Sequence, residues 1–321
     1  MTSPLDRILS LVLAVIAALA MTASVRAQDV LRLAVGQRGL WDTSISDVGQ
    51  RAGIFRKHGL ELEILYTQGS GETLQAAISG SVEVAVSVGI MGALSAYAKG
   101  APVRIIGAEM TGAGDIFWYV RADSAIRTLS DADGKTIAYS TNGSSTHGVV
   151  TAFIKQFVPH AKATATGGPA ATLTAVMSGQ VDVGWAAPPF GLDQLDRNEI
   201  RQIASGDDTL FRNQTVRLLV STAPTLASRK DAIDRYLAGY RETVDWMYSD
   251  PAALKVYAEF AGITEAKARR IRDGFFSKSS ILPDEITGLD LIVPDAVALK
   301  FTAAPLSREQ LGELIQIPPR K

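Results

Sequence analysis

The amino-acid sequence predicts an α/β fold made of two similar lobes. Apolar, strand-like segments alternate with helix-like segments of ten or more residues through most of the chain, which is the pattern of parallel sheets with crossover helices. A thirteen-residue unit also occurs twice, as TLQAAISGSVEVA at 73–85 and TLTAVMSGQVDVG at 172–184. Two copies of one unit, 99 residues apart in a chain of 321 residues, indicate two domains of similar construction.

The first unit is predicted to contain four strands and three helices. Its opening segment, DVLRLAVGQ, is rich in valine and leucine and alternates as a half-buried strand does. Gly59 and Gly80 stand where helices would end, a position that favours glycine. The predicted order is strand 29–37, helix 46–59, strand 60–66, helix 69–80, strand 82–89, helix 90–100 and strand 102–110.

The pattern then restarts, and a helical tail follows it. The second unit is predicted to contain strand 135–140, helix 144–157, the helix of TLTAVMSG and strand 181–187. In the tail, the apolar residues of the first helix recur near a 3.6-residue period, so we expect that helix to pack on another element. The tail helices are predicted at 228–250, 251–262 and 264–276, and they are not a third copy of the unit.

The first 27 residues predict a cleaved signal peptide. Arg7 precedes the apolar run 8–21, and the small residues Val25 and Ala27 suit a cleavage site after Ala27. The run is shorter than the roughly 20 residues that span a bilayer. The chain has no cysteine, which excludes a lipoprotein anchor, disulfides and a thiol nucleophile. We therefore expect an exported, periplasmic protein.

The composition is that of a soluble globular protein, with 47% hydrophobic and 20% charged residues. The net charge is −1 without a long basic run, so no nucleic-acid partner is expected. His58, His147 and His160 are not spaced as metal ligands, and SDADGK (130–135) is better explained as a turn with a helix cap than as a calcium loop. No GxSxG motif occurs. We expect no catalytic residue, metal or cofactor.

Two glycine-containing loops predict where a ligand binds. QGSGET (68–73) and STNGSSTHG (140–148) each lie between a predicted strand and a helix. Helix amino termini offer free N–H groups and the positive end of the dipole, which suit an anion. Either loop alone is better explained as an ordinary helix start, but their matched positions favour ligand contact. Neither loop is a P-loop or a GxGxxG motif.

Several segments together resemble the nitrate, sulfonate and taurine type of periplasmic solute-binding proteins, which serve ABC importers. The segments are GIFRKHGLELEIL (53–65), GAPVRIIG (100–107), LSDADGKTIAYSTNGSSTHG (129–148) and VDVGWAAPP (181–189). The resemblance implies the type II periplasmic binding protein fold, with two α/β lobes, a ligand cleft and two hinge crossings. By this likeness lobe one is 28–112 plus 222–321, lobe two is 113–221, and the hinges lie near Thr111–Trp118 and Val216–Thr222.

The resemblance also implies which positions contact the ligand. Trp41 and Trp185 would form an aromatic wall, and Arg38 is the only arginine in the matched loops, so an organic monoanion is expected. Trp185 has a core position as its alternative. His147, one turn into the predicted helix, is better explained by a helix-surface or capping role than by ligand contact. The implied contact residues are Trp41, Thr43, Ser70, Gly71, Ser87, Gly89, Asn142, Ser144, Ser145, Thr146, Trp185 and Pro188.

The function implied by the resemblance is solute capture by hinge closure. The ligand would be an alkanesulfonate, a taurine-like compound or an aromatic carboxylate. The partners would be an inner-membrane ABC permease and its ATPase, and we expect a monomer. Two alternatives remain open at this stage, a periplasmic sensor that docks on a receptor kinase and a pyrimidine-precursor binding protein on the same fold. An enzyme on this fold that relies on a cysteine-rich segment is not supported, because the chain has no cysteine.

Overall fold

A computed structural model describes residues 28–320, which form two α/β lobes. The predicted signal peptide, 1–27, lies outside the described residues. The predicted α/β class and the two-lobed arrangement are confirmed. Among residues 28–320, the helices lack the combination of length and apolar composition that crossing a bilayer requires.

Lobe one is built around a five-stranded sheet with the order β2-β1-β3-β10-β4. β1 pairs in parallel with β2 and β3, whereas β10 runs antiparallel between β3 and β4. The strands are β1 (Asp29–Gly36), β2 (Leu60–Thr67), β3 (Val84–Gly89), β4 (Val103–Thr111) and β10 (Thr215–Thr222). The helices between them are α1 (Ile45–Arg51), α2 (Ile54–Lys57), α3 (Ser70–Ile78) and α4 (Ile90–Ala98).

Lobe two repeats this order. Its strands are β5 (Phe117–Arg121), β6 (Thr136–Tyr139), β7 (Lys162–Ala165), β8 (Gly184–Ala186) and β9 (Ile200–Ser205). β6 pairs in parallel with β7, β5 lies antiparallel between β8 and β9, and a bridge from Ile137 to Val183 joins the two groups. The resulting order, β7-β6-β8-β5-β9, matches lobe one strand for strand. The helices are α5 (Ser145–Gln156), α6 (Pro169–Met177) and α7 (Leu192–Asp196).

The chain passes between the lobes twice, and each passage leads to the antiparallel strand of the lobe that it enters. β5 directly follows β4, and β10 directly follows β9. The first crossing, 112–116, falls within the expected hinge segment Thr111–Trp118. The expected second hinge, Val216–Thr222, instead lies inside β10, which is paired on both edges in the first sheet. The strand pairings therefore favour a return crossing at 206–214 and a lobe boundary before β10.

The tail packs on lobe one. It forms α8 (Ala223–Ser249), α9 (Ala252–Ala261), α10 (Glu265–Phe275), α11 (Leu289–Ala298) and α12 (Arg308–Leu314). α8 begins earlier than the predicted residue 228 because the side chain of Thr222 caps it, and it has non-helical torsion angles at Arg229. As the 3.6-residue period predicted, α8 buries an apolar face, on which Tyr236 stacks with Phe55 of α2. The single helix predicted at 46–59 is two short helices, because Gly53 adopts a φ of 76° between them.

The repeated unit forms the same hydrogen bonds in both lobes. Thr73 and Thr172 are fully buried, and each hydroxyl contacts a threonine six residues earlier, at 2.6 Å between the two oxygens. Each also donates to the carbonyl of the glycine four residues earlier. Glu83 and Asp182 each accept a backbone N–H from the neighbouring strand, at 2.7 and 2.8 Å. The repeat therefore specifies how each helix is fixed to its strand loop.

The two lobes approach each other closely at glycine residues. The Gly71 N–H of lobe one donates to the Thr141 hydroxyl of lobe two at 3.0 Å. A methyl group on Gly89 or Gly92 would lie only 2.3 or 2.5 Å from the Gly143 carbonyl oxygen of the other lobe. Side chains at these positions would hold the lobes apart. The backbone contact is thus possible only because both surfaces lack a Cβ there.

We expect the Thr172→Val variant to lower the free energy of unfolding by about 1–3 kcal/mol, because it leaves the Thr166 hydroxyl and the Gly168 carbonyl without their buried partner. Urea denaturation measures this. Thr174→Val is the matched control on the same helix, at an exposed position, and should change stability by no more than about 0.5 kcal/mol. Equal effects of both variants would contradict a structural role for the repeat.

We expect the Gly92→Ala variant to oppose contact between the lobes without destabilising either one. Alanine is favoured over glycine inside a helix by about 1 kcal/mol, while its methyl group meets Gly143 only when the lobes are together. Under conditions in which the wild-type lobes are closed, small-angle X-ray scattering should give a larger radius of gyration for the variant than for the wild type. Gly274→Ala, in α10 with open space around the new methyl, should not. An unchanged radius for Gly92→Ala would contradict this account.

Candidate functional site

A cavity of about 30 Å³ lies between the two lobes, at the carboxyl ends of their parallel strands. β1 ends there at Gly36, and helices α3 and α5 begin there at Ser70 and Ser145. Ligands of open α/β sheets bind at such edges. The cavity is lined by Gly36, Gln37, Leu40, Gly69, Ser70, Ser87 and Arg217 of lobe one, and by Ile116, Ser140, Ser144, Ser145, Thr146, Trp185 and Ala187 of the crossing and lobe two.

Two helix amino termini therefore face one small space. At the start of α5 the Ser144 hydroxyl accepts the His147 N–H at 3.0 Å, and the Thr146 hydroxyl accepts the Ser140 N–H at 2.9 Å. The first N–H groups of a helix have no acceptor within the helix itself. Together with the dipoles of α3 and α5, these N–H groups favour negative charge in the cavity.

Two side chains that line the cavity carry buried polar atoms without a hydrogen-bond partner among residues 28–320. The Trp185 Nε1 and the Ser70 Oγ are each inaccessible to solvent and have no hydrogen-bond partner within residues 28–320. Both side chains line the cavity. The indole N–H can only donate. A buried donor without an acceptor costs about 1–3 kcal/mol of stability. A ligand with an acceptor atom would satisfy it.

Arg217 is a cavity residue that the sequence reasoning missed. It lies on β10, and its side chain is only 5% exposed. Its Nη2 contacts the Asp115 Oδ2 at 2.7 Å, and its Nε lies 3.0 Å from the Asp42 Oδ2. The predicted contact positions are in loops and at the ends of strands or helices, whereas Arg217 lies inside a strand. The available signal was one arginine inside the otherwise apolar segment TVRLLVST (215–222).

A cluster of buried carboxyl groups surrounds this arginine. Asp42, Glu109 and Asp115 are all completely buried. Burial, and after it the nearby Asp42, raises the pKa of Glu109 well above its usual range. Burial also raises the pKa of Asp115 to about 6, although Arg217 acts in the opposite direction. Burial alone would lower the pKa of Arg217, but Asp115 and Asp42 outweigh it and raise that pKa.

The structure brings half of the predicted contact residues to the cavity. Trp185 lines it while being only 2% exposed, so its side chain is both buried and adjacent to a space that both lobes border. The predicted residues that line the cavity are Ser70, Ser87, Ser144, Ser145, Thr146 and Trp185.

Three of the remaining predicted residues lie where the lobes touch. Gly89 packs against Gly143, as described above. Gly71 and Asn142 line a separate groove of about 940 Å³ that also borders the tail. His147 faces this groove instead of the cavity. Its ring stacks on Tyr139 and its Nδ1 accepts the Gly143 N–H at 3.0 Å, which agrees with the helix-capping alternative. Burial lowers the pKa of His147.

The other three predicted residues are not at the cavity. The Trp41 indole is fully buried, donates to the Tyr248 hydroxyl at 3.1 Å and packs edge-on against Tyr257 of the tail. The Thr43 hydroxyl donates to the Gln37 carbonyl at 2.6 Å. Pro188 is buried and precedes a cis peptide bond. The expected aromatic wall on the lobe-one side is therefore wrong, because the tail helices cover Trp41.

Exposed ion pairs also connect the lobes. Lys267 and Arg270 of α10 contact Asp193 and Asp196 of α7, each at 2.6 Å. The lobes are thus in contact at a second place besides the glycine residues. Within the described part of the chain, no group of three or more histidine, aspartate or glutamate side chains is arranged to hold a metal ion.

Solved structures of low sequence identity share this fold. The alkanesulfonate-binding protein SsuA from Xanthomonas axonopodis pv. citri, bound to MOPS, superposes with a TM-score of 0.71 at 17% identity, covering 90% of this chain and 99% of that one. The aliphatic sulphonate-binding SsuA from Escherichia coli gives 0.65 at 19%, covering 91% and 94%. The nitrate-binding NrtA from Synechocystis PCC 6803 gives 0.68 at 13%, covering 89% and 86%. At these identities the likeness establishes the fold.

Comparison by sequence gives the family. No curated protein has significant sequence similarity to the chain. The family model described as NMT1/THI5 like, however, matches residues 47–254, which is more than half of the chain. This match agrees with the family resemblance that the sequence motifs predict. The protein belongs to the NMT1/THI5-like family.

Proposed function

We propose that the protein captures a small organic anion between its lobes and delivers it to an ABC importer in the inner membrane. The observation that carries this proposal is the pair of buried, unsatisfied polar atoms within residues 28–320, Trp185 Nε1 and Ser70 Oγ, beside two helix amino termini. Three structural neighbours bind alkanesulfonates, aliphatic sulphonates or nitrate. Their ligands share a compact group of acceptor oxygens.

The chemistry of the lining favours an acceptor-rich ligand. The indole N–H, the first N–H groups of α3 and α5 and the guanidinium of Arg217 are all donors. A carboxylate or sulfonate presents several acceptors to such a set, whereas an ammonium would leave every donor unpaired. Leu40, Ile116 and Ala187 supply a short apolar wall. We therefore propose a small sulfonate or carboxylate with a short apolar body.

Entry of such a ligand requires the lobes to separate. A volume of about 30 Å³ is roughly the share of one water molecule in the liquid, which is less than a sulfonate occupies. Motion of the crossings 112–116 and 206–214 would open the cavity to solvent. A ligand that touches both lobes then binds the closed form better and shifts the population towards it. The closed surface would dock on the permease.

The periplasmic location and the importer are part of the same proposal. A sensor that docks on a receptor kinase would need the same cavity, so the ligand alone does not separate the two roles. Measuring ATP hydrolysis by the cognate permease complex separates the two roles. The ligand-loaded protein should stimulate it, and an unstimulated ATPase with a responding kinase would favour the sensor.

Thermal unfolding of residues 28–321 with a panel of solutes at about 1 mM tests the ligand class. The protein is first unfolded and refolded to remove bound solute. A ligand at about 1,000 times its Kd adds roughly 4 kcal/mol, which should raise the Tm on the order of 5 °C or more. We expect this from alkanesulfonates, taurine or small carboxylates. A shift from thiamine-type pyrimidines alone would favour the pyrimidine-precursor alternative, and no shift at all would overturn the binding proposal.

The Trp185→Phe variant should weaken binding of the selected anion by about 10- to 100-fold, because it removes a buried donor to a charged acceptor. Isothermal titration calorimetry measures the change. Trp246→Phe is the matched control, since that indole N–H donates to Asp250 at 3.1 Å within the tail. It should bind as the wild type does. Equal affinities of the wild type and both variants would show that the Trp185 indole does not bind the ligand.

A further inference from the structure

We propose that Arg217 anchors the anion and that binding takes up a proton on the carboxyl groups packed around this arginine. This inference rests on the anion-binding function proposed above and adds a residue and a proton to it. It predicts a receptor whose affinity rises as the pH falls, although the ligand itself does not titrate.

The geometry of Arg217 leaves one side of its guanidinium for a ligand. Nη2 contacts Asp115 and Nε faces Asp42, whereas Nη1 belongs to neither pair. The side chain lines the cavity between the lobes. A guanidinium held by two carboxyl groups cannot turn away, so its remaining edge stays presented to the cavity.

More carboxyl groups than arginines are present in this buried cluster. Both carboxyl oxygens of Asp42 and of Glu109, and the Oδ1 of Asp115, lack hydrogen-bond partners among residues 28–320. An isolated buried carboxylate is very costly, and such a group holds a proton instead. Three carboxyl groups face the single positive charge of Arg217, so ionisation of any two of them would make the floor of the cavity −1. That charge opposes an anion.

Other groups around the cluster do not supply a second cation. From α8, Tyr236 and Tyr240 lie near Glu109, and burial raises the pKa of both phenols. Tyr248 and Tyr257 lie near Asp42, and burial raises their pKa values in the same way. The Asp207 carboxylate accepts the Ala113 N–H at 3.0 Å on the crossing. These groups are neutral or negative at neutral pH, so they do not cancel the excess of carboxyl groups.

Protonation of one carboxyl group resolves the conflict. If Asp115 takes up a proton, the cluster loses one negative charge. Arg217 can then pair with the anion without that charge opposing it. A bound anion in turn makes that proton harder to remove, since the coupling between two ligands is reciprocal. Because the pKa of Asp115 is raised to about 6, this protonation occurs within the pH range of ordinary environments. Each bound anion would carry up to one proton with it.

Calorimetric titrations test the proposal over about pH 5.5 to 8, a range in which sulfonates and simple carboxylates stay ionised. The probe is ethanesulfonate, or benzoate if the panel selects carboxylates. We expect the affinity to rise by up to about tenfold for each unit by which the pH falls. Titrations in buffers of different ionisation enthalpy should show uptake approaching one proton per ligand. A pH-independent Kd without proton uptake would overturn this inference and leave the binding function standing.

Variants identify the groups. Asp115→Asn should bind at least as tightly as the wild type at about pH 8 and lose the proton uptake. Arg217→Gln should bind about 10- to 100-fold more weakly at every pH. Asp133→Asn, at an exposed site in lobe two, should keep the wild-type pH profile. Normal binding by Arg217→Gln would overturn the anchor role. If Asp115→Asn does not fold, the proton count of the wild-type protein still decides.

Discussion

The buried contact of Arg217 with Asp42 and Asp115 connects the segments on which the two-lobed arrangement depends. Arg217 lies on β10, the strand that the chain reaches on its return to lobe one, and Asp115 lies on the first crossing. Asp42 follows β1 and brings the loop beneath the cavity into the same cluster. Removing one partner of a buried ion pair typically costs about 3–5 kcal/mol. These contacts therefore tie the first crossing to β10 and to the floor of the cavity.

The internal repeat and the ligand cavity are encoded by different residues. In both lobes the repeated threonine bonds its helix to the loop that precedes it. The repeated acidic residue accepts a backbone N–H from the neighbouring strand. This places the two helix amino termini opposite each other. Trp185 and Arg217 have no counterpart of their own type in the other lobe. The frame is thus nearly symmetric, whereas the polar groups that it presents are not.

Much of the fold and part of the site could be predicted because they depend on local signals. Strand and helix periodicity, glycine ends and the loop-helix units are all visible within short windows, and Ser70, Ser144 and Thr146 follow from them. Trp41 could not be placed in this way, since Tyr248 and Tyr257, more than 200 residues further along the chain, decide where its indole lies. β10 could not be assigned to lobe one either, because the sequence of an apolar strand does not indicate which of the two sheets it joins.

The contacts between the lobes bear on how a ligand could control closure. In the pairs Lys267–Asp193 and Arg270–Asp196 both aspartates and the arginine are more than half exposed, and Lys267 is 18% exposed. Ion pairs at the surface contribute about 0–1 kcal/mol each. The glycine contacts determine how closely the lobes approach but bury little apolar surface. Moving a two-state equilibrium from mostly open to mostly closed takes about 5.5 kcal/mol. Under the proposed function, most of that free energy must come from the anion itself, through the donors of Trp185, Arg217 and the two helix termini. Selectivity and closure would then depend on the same few hydrogen bonds.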